Sequence, residues 1–163
     1  MMKKFTLFLF ALISPLIGFN QTTPGYFMHP DVHENTVVFV AEGDIWMAPI
    51  SGGMATRLTT HPGDESDPKI SPDGQWVAYA ASYEGPTEVY VMPLSGGLPK
   101  RLTYEPAASI PTAWKSATEV AYTTNQYSTL PRLRTMVVDM NSREKENCDN
   151  CGWYSYFHLS SVN

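Results

Sequence analysis

Helical periodicity is the first thing missing. Past residue 20 no stretch repeats apolar residues at the spacing of an amphipathic helix, which excludes helical bundles and helical repeat arrays. Basic charge is sparse as well. The only cluster is Lys3 with Lys4, and the 163 residues carry a formal net charge of −5. The cationic face that nucleic-acid binding needs is therefore absent, and no nucleic-acid partner is expected. Cysteine is limited to Cys148 and Cys151, a Cys-x-x-Cys pair that suits a disulfide, a redox pair or half of a zinc site. With no second pair and no β-α-β context, neither a full zinc site nor a thioredoxin-type site is supported. No serine stands in a Gly-x-Ser-x-Gly elbow. What the chain does have is punctuation. Its 11 glycines, 13 prolines and 12% aromatic residues fit all-β structure.

The punctuation is periodic. Aligning Ile45 to Thr59 with Val89 to Thr103, at a constant offset of 44, gives seven identities in fifteen positions. Pro49 matches Pro93, Ser51-Gly52-Gly53 matches Ser95-Gly96-Gly97, and Arg57-Leu58-Thr59 matches Arg101-Leu102-Thr103. Downstream, Val120-Ala121-Tyr122 echoes Val77-Ala78-Tyr79 at an offset of 43. A period in the low forties built from strands and turns predicts the four-stranded antiparallel meanders of β-propeller blades.

The unit is clearest between Ser71 and Thr103. The turn Ser71-Pro72-Asp73-Gly74 opens it, strand-sized runs cover Trp76 to Ser82 and Glu88 to Pro93, and Leu98 to Thr103 closes it. With Pro68 to Ile70 leading, residues 67–104 form blade two. In blade one, residues 24–60, the expected strands are Tyr26 to Met28, Thr36 to Ala41, Asp44 to Pro49 and Met54 to Thr59. His29, Pro30 and Asp31 are placed in a turn, with Pro30 and Asp31 answering Pro72 and Asp73. Both faces of Thr36 to Ala41 are apolar, so both are expected to be covered by neighbouring blades. Blade three, residues 110–147, has strands at Ile110 to Trp114, Glu119 to Thr124 and Leu133 to Asp139, with no fourth strand assigned. Residues 148–163 are a divergent aromatic tail holding Trp153, Tyr154, Tyr156 and Phe157.

At the other end, Lys3 and Lys4 precede an apolar run from Phe5 to Ile17 and then polar Asn20 to Thr23. This is the layout of a secretory signal peptide over residues 1–20, and the run is short for a membrane span. A periplasmic or secreted mature chain is expected.

Candidate sites are few. His29 and His33 have ligand-like spacing around Pro30, but zinc needs at least a third ligand. Asp64, Glu65 and Asp67 could collect a hard cation, yet they lack the calcium-loop spacing and read as a solvated loop between blades. Trp46, Tyr79, Tyr90 and Trp114 could form a stacking platform and read more simply as packing between blades. No catalytic residue, cofactor or metal is assigned.

The opening series Tyr26 to His33 and Val38 to Trp46, continued by Gly52-Gly53, Arg57-Leu58-Thr59, Ser71 to Gly74 and Tyr127 to Pro131, resembles the bacterial tricorn protease homologues over roughly residues 24 to 146. The blade motif is shared with TolB-like periplasmic propellers and prolyl-oligopeptidase-like enzymes. The resemblance implies a six-bladed propeller, a second propeller, a PDZ-like domain and a C-terminal serine peptidase domain of the tail-specific type. No catalytic Ser or His of that family has a counterpart here. The implied role is gating or docking of peptide or protein substrates. The implied partners are the remaining propeller and peptidase domains and, in the intact protein, further copies of it. A non-enzymatic TolB-like propeller mediating protein interactions is the alternative.

Three blades do not close a ring, since propellers have four to eight, so a truncated reading frame is the expectation. Open blade faces are apolar. Residues 21 to 163 expressed alone are therefore expected to be oligomeric or poorly soluble in light scattering. A sharp monomeric profile with cooperative unfolding would contradict this.

Overall fold

A computed structural model describes residues 25–127 and 132–148. The leader, Ser128 to Pro131, Cys151 and the aromatic tail lie outside the described residues. Among the described residues every element is a strand: β1 (Met28–His33), β2 (Thr36–Ala41), β3 (Asp44–Pro49), β4 (Thr56–Arg57), β5 (Glu65–Ile70), β6 (Trp76–Ala81), β7 (Glu88–Pro93), β8 (Lys100–Arg101), β9 (Ser109–Trp114), β10 (Glu119–Thr124), β11 (Arg134–Asp139) and β12 (Lys145–Asn147). They form three four-stranded antiparallel sheets in sequential order, β1 to β4, β5 to β8 and β9 to β12. These are three propeller blades.

Local chemistry sets the turns. Ser71 N–H and carbonyl close the β5–β6 turn with Trp76 and Gly74, Asp73 accepts from Gln75 N–H, and Gly74 takes a φ of 67°. The hydrogen bond from the Ser71 hydroxyl holds the Asp73 carboxyl below the usual carboxylate range. After β3 and β7, Gly52 and Gly96 N–H return to the carbonyls of Pro49 and Pro93 at 3.1 and 2.9 Å. Both glycines and those that follow have positive φ, between 89° and 149°, which excludes side chains at these positions without strain.

Blade two is buried on both faces because it lies between its neighbours. Val77, Tyr79, Ala81, Tyr90 and Met92 pack toward Val38 and Ile45 of blade one. On the other side, Ala78, Val89, Val91 and Leu102 meet Trp114, Val120, Tyr122, Met136 and Val138 of blade three. Period-two alternation of a strand thus feeds two cores at once. Blade one differs from expectation. Val38 and Val40 are buried, but the face carrying Val37, Phe39 and Ala41 points away from blade two and is only half-buried. There the Phe27 ring lies edge-on to Phe39 at 5.0 Å.

Several strand boundaries also depart from the sequence reading, the closing strands of blades one and two shortening to Thr56–Arg57 and Lys100–Arg101. The first strand is Met28–His33 and includes His29, Pro30 and Asp31. Proline is tolerated because the β1–β2 register shifts there, and the same shift recurs at Pro68 in β5 and Pro111 in β9. Pro30 therefore answers Pro68, and the turn that answers Ser71 to Gly74 follows His33. The leading strand of blade two begins at Glu65, so Glu65 to Asp67 are strand, while Asp64 stays in the link before it. Blade three does have a fourth strand, Lys145–Asn147, paired with β11. Cys148 N–H donates to Thr135 O, as Leu58 N–H does to Ile45 O and Leu102 N–H to Val89 O, so Cys148 stands where the other blades have leucine.

Leu102 is 1% exposed between two blades, whereas Leu98 on the preceding turn is 92% exposed. Leu102→Ala is expected to cost about 2–5 kcal/mol in urea unfolding, and Leu98→Ala about 0.5 kcal/mol or less.

Candidate functional site

The polar groups of this chain gather at the seams between blades. Each seam is built on the repeated Arg-Leu-Thr. In blade one the buried Thr59 hydroxyl accepts from Ile45 N–H at 2.8 Å, and in blade two Thr103 does the same for Val89 N–H at 2.9 Å. The guanidinium Nε of Arg57 donates to Thr59 O, and that of Arg101 to Thr103 O, at 3.0 and 2.8 Å. Each arginine also pairs with the acid that opens the third strand, Arg57 with Asp44 and Arg101 with Glu88. The fourth strands of blades one and two are only two residues long because the threonine side chain replaces the next ladder acceptor.

The seams differ in where the threonine proton goes. Thr103 donates to Glu88, which also accepts from Glu105 N–H at 2.5 Å. Asp44 is one methylene shorter, and Thr59 donates instead to Glu65 Oε2 at 2.8 Å. Glu65 Oε1 accepts from Tyr83 at 2.5 Å, and Tyr83 packs against Tyr79, Tyr90 and the His61 ring. Burial raises the Glu65 carboxyl above its ordinary range. In the second seam, Glu105 receives Ser109, Tyr122 and Lys145 at 2.9 to 3.0 Å. Burial alone would raise it, but these partners outweigh burial and hold it lower. Burial also lifts Tyr79, Tyr83 and Tyr122 well above the usual phenol range. Tyr83 and Tyr122 are fixed donors to Glu65 and Glu105, Tyr79 accepts from Tyr83, and none of the three is an acid–base group at neutral pH.

The residues singled out from sequence fall into this framework. His29 and His33 do not converge on a common ligand: His29 Nδ1 accepts from Asp67 N–H at 3.1 Å, and His33 lies against Gly74 of the next blade. Among the described residues no three His, Cys, Asp or Glu side chains are grouped to hold a metal. Asp67 faces His29, whereas Glu65 is 2% exposed, so the reading of that trio as a solvated loop is wrong for Glu65. The misreading arose because its partners stand 6 and 18 residues away, outside any local pattern. Tyr79, Tyr90 and Trp114 are buried between blades, with Tyr79 and Tyr90 stacked at 6.0 Å. The Trp114 indole N–H donates to Lys69 O of the preceding blade, and Trp46 is half-buried with its N–H on Ala41 O. Asp31, set in a turn by the sequence reading, accepts from Ile70 N–H at 2.7 Å across the first seam. Cys148 packs beside Ala121 and Val137. The ring nitrogens of His29 and His61 that accept hydrogen bonds take them from backbone N–H groups, an arrangement for packing and not for activating a nucleophile.

The profile of the tricorn protease N-terminal beta-propeller domain matches residues 24–154. The chain belongs to this family. Tricorn protease homolog 1 of Streptomyces coelicolor is 43% identical over 67 residues, which cover 41% of this chain and 6% of that protein. Among solved structures, the tricorn protease aligns with a TM-score of 0.63 at 18% identity, covering 71% of this chain and 12% of the other. TolB from Acinetobacter baumannii aligns at 0.60 and 18%, covering 76% of this chain and 32% of the other. At such identities the structural likeness speaks for the propeller fold alone. The chain spans under a third of each of these three relatives.

Thr103→Val keeps the shape of the side chain but leaves Val89 N–H without its acceptor and Glu88 one donor short, with Arg101 and Glu105 N–H still on it. It is expected to cost about 1–3 kcal/mol in denaturant unfolding, with Thr103→Ser closer to wild type. Equal stability of Val and wild type would show that the hydroxyl holds nothing.

Proposed function

We propose that this propeller admits and docks peptide or protein substrates for a tricorn-type serine peptidase, and that residues 1–20 export it to the periplasm or beyond. The observation that carries this reading is the family match over residues 24–154. The described blades support a non-catalytic part in it. The buried threonines, the buried phenols and most of the buried carboxylates are spent on contacts at the seams between blades. Hydrolysis would then belong to a peptidase domain of the intact protein, and the further blades and copies of that protein would be the other partners.

The test is to tag the gene product in its own host, fractionate the cells, and assay the purified material on a denatured fluorescent protein. Recovery from the envelope or medium, with peptidase activity blocked by a serine-directed covalent inhibitor, is the expected outcome. Stoichiometric recovery of envelope partners without peptidase activity would overturn it and favour a TolB-like interaction propeller.

A further inference from the structure

The two seams carry the same number of buried acids but not of cations. In the second, Glu88 and Glu105 are reached by Arg101 and Lys145, whose side chains are 16% and 23% exposed. In the first, Asp44 and Glu65 are both buried, and Arg57 reaches Asp44 from a side chain 44% exposed. Asp44 Oδ2 takes that arginine, while Asp44 Oδ1 is buried with no hydrogen-bond partner among the described residues. Glu65 sits beside it, since its own N–H donates to the carbonyl of Gly43 at 2.8 Å. Two neighbouring buried carboxylates, with the one half-exposed arginine spent on Asp44, are relieved when one of them is neutralised.

We propose that the first seam is an acid-tightened joint: Glu65 takes up a proton from solvent, its repulsion of Asp44 ends, and blades one and two hold more firmly as the surroundings acidify. The groups facing Glu65 are Asp44 from β3, Thr59 just past β4, His61 from the link, Tyr79 from β6 and Tyr83 beyond it, while Arg57 of β4 is paired with Asp44. Burial is the largest influence and pushes the carboxyl up, and Asp44 adds to it. The Tyr83 and Thr59 hydroxyls and His61 pull the other way without cancelling the rise.

The sign follows from linkage. A carboxyl raised in the folded state contributes stability that is complete below the unfolded value of about 4.3 and is lost as pH rises through the folded value. Glu105 in the second seam is lowered, so its contribution has the opposite sense: present above the unfolded value and lost on acidification. The chain thus holds one seam favoured by acid and one favoured by neutrality. This inference does not rest on the proposed peptidase role.

Two measurements on the full-length chain test it. With glutamate side chains labelled with carbon-13 and assigned through the backbone, the Glu65 carboxyl is expected to titrate above the ordinary glutamate value, and Asp44→Asn to bring it down. As pH rises through the Glu65 titration, the thermal midpoint of Glu65→Gln is expected to fall less than that of wild type and to equal or exceed it once the wild-type carboxyl is ionised. A Glu65 titration at or below the ordinary value overturns the proposal, whether or not the Gln variant folds, and so does a Gln variant that keeps the full wild-type fall.

Discussion

Everything in these blades hangs on one buried hydroxyl per seam. The threonine that closes the Arg-Leu-Thr sequence stands where a fourth strand would otherwise continue its ladder. Its oxygen accepts the N–H of the second residue of the third strand, and its proton goes to a buried carboxylate. A threonine can do both because a hydroxyl donates and accepts at once. Leucine beside it fills the space between sheets, and arginine before it closes the acid and the threonine carbonyl into one network. Strip out the hydroxyl and the outer strand has two residues of ladder and little else.

That device explains why the chain could repeat so sparingly. Seven identities in fifteen positions are enough because each retained residue has a defined partner, while the others need only alternate apolar side chains toward two neighbouring cores. Blade three departs from the pattern. By strand register Asn147 and Cys148 fall where arginine and leucine stand elsewhere, and Lys145 reaches across to Glu105 of the preceding seam. Tightness between blades two and three comes from a crossing salt bridge as well as from the repeated network.

Much of this was legible in the residues, and the misses share a cause. The blade period, the turns and the central strands all rest on local signals, glycine, proline and alternation, and these placed β2, β3, β6, β7, β10 and β11. Arg-Leu-Thr was visible as a repeat but not as a network, because Asp44 and Glu88 act from 13 residues away. Pro30 read as a turn, although it marks a bulge in an inner strand, as Pro68 and Pro111 do. Glu65 read as solvated because a string of Gly, Asp, Glu and Ser looks like loop. Its burial is set by Thr59 and Tyr83, which come together only once two blades are packed.

The account stands or falls on whether the threonine hydroxyls hold the seams shut. Amide hydrogen exchange on the full-length chain reads this residue by residue. The N–H groups of Ile45 and Val89, each bonded to a threonine oxygen, are expected to exchange as slowly as the central β6 and β7 amides. Exchange at the rate of the exposed turn at Glu84 and Gly85 would show that the seams open freely and that the blades are held together by apolar packing alone.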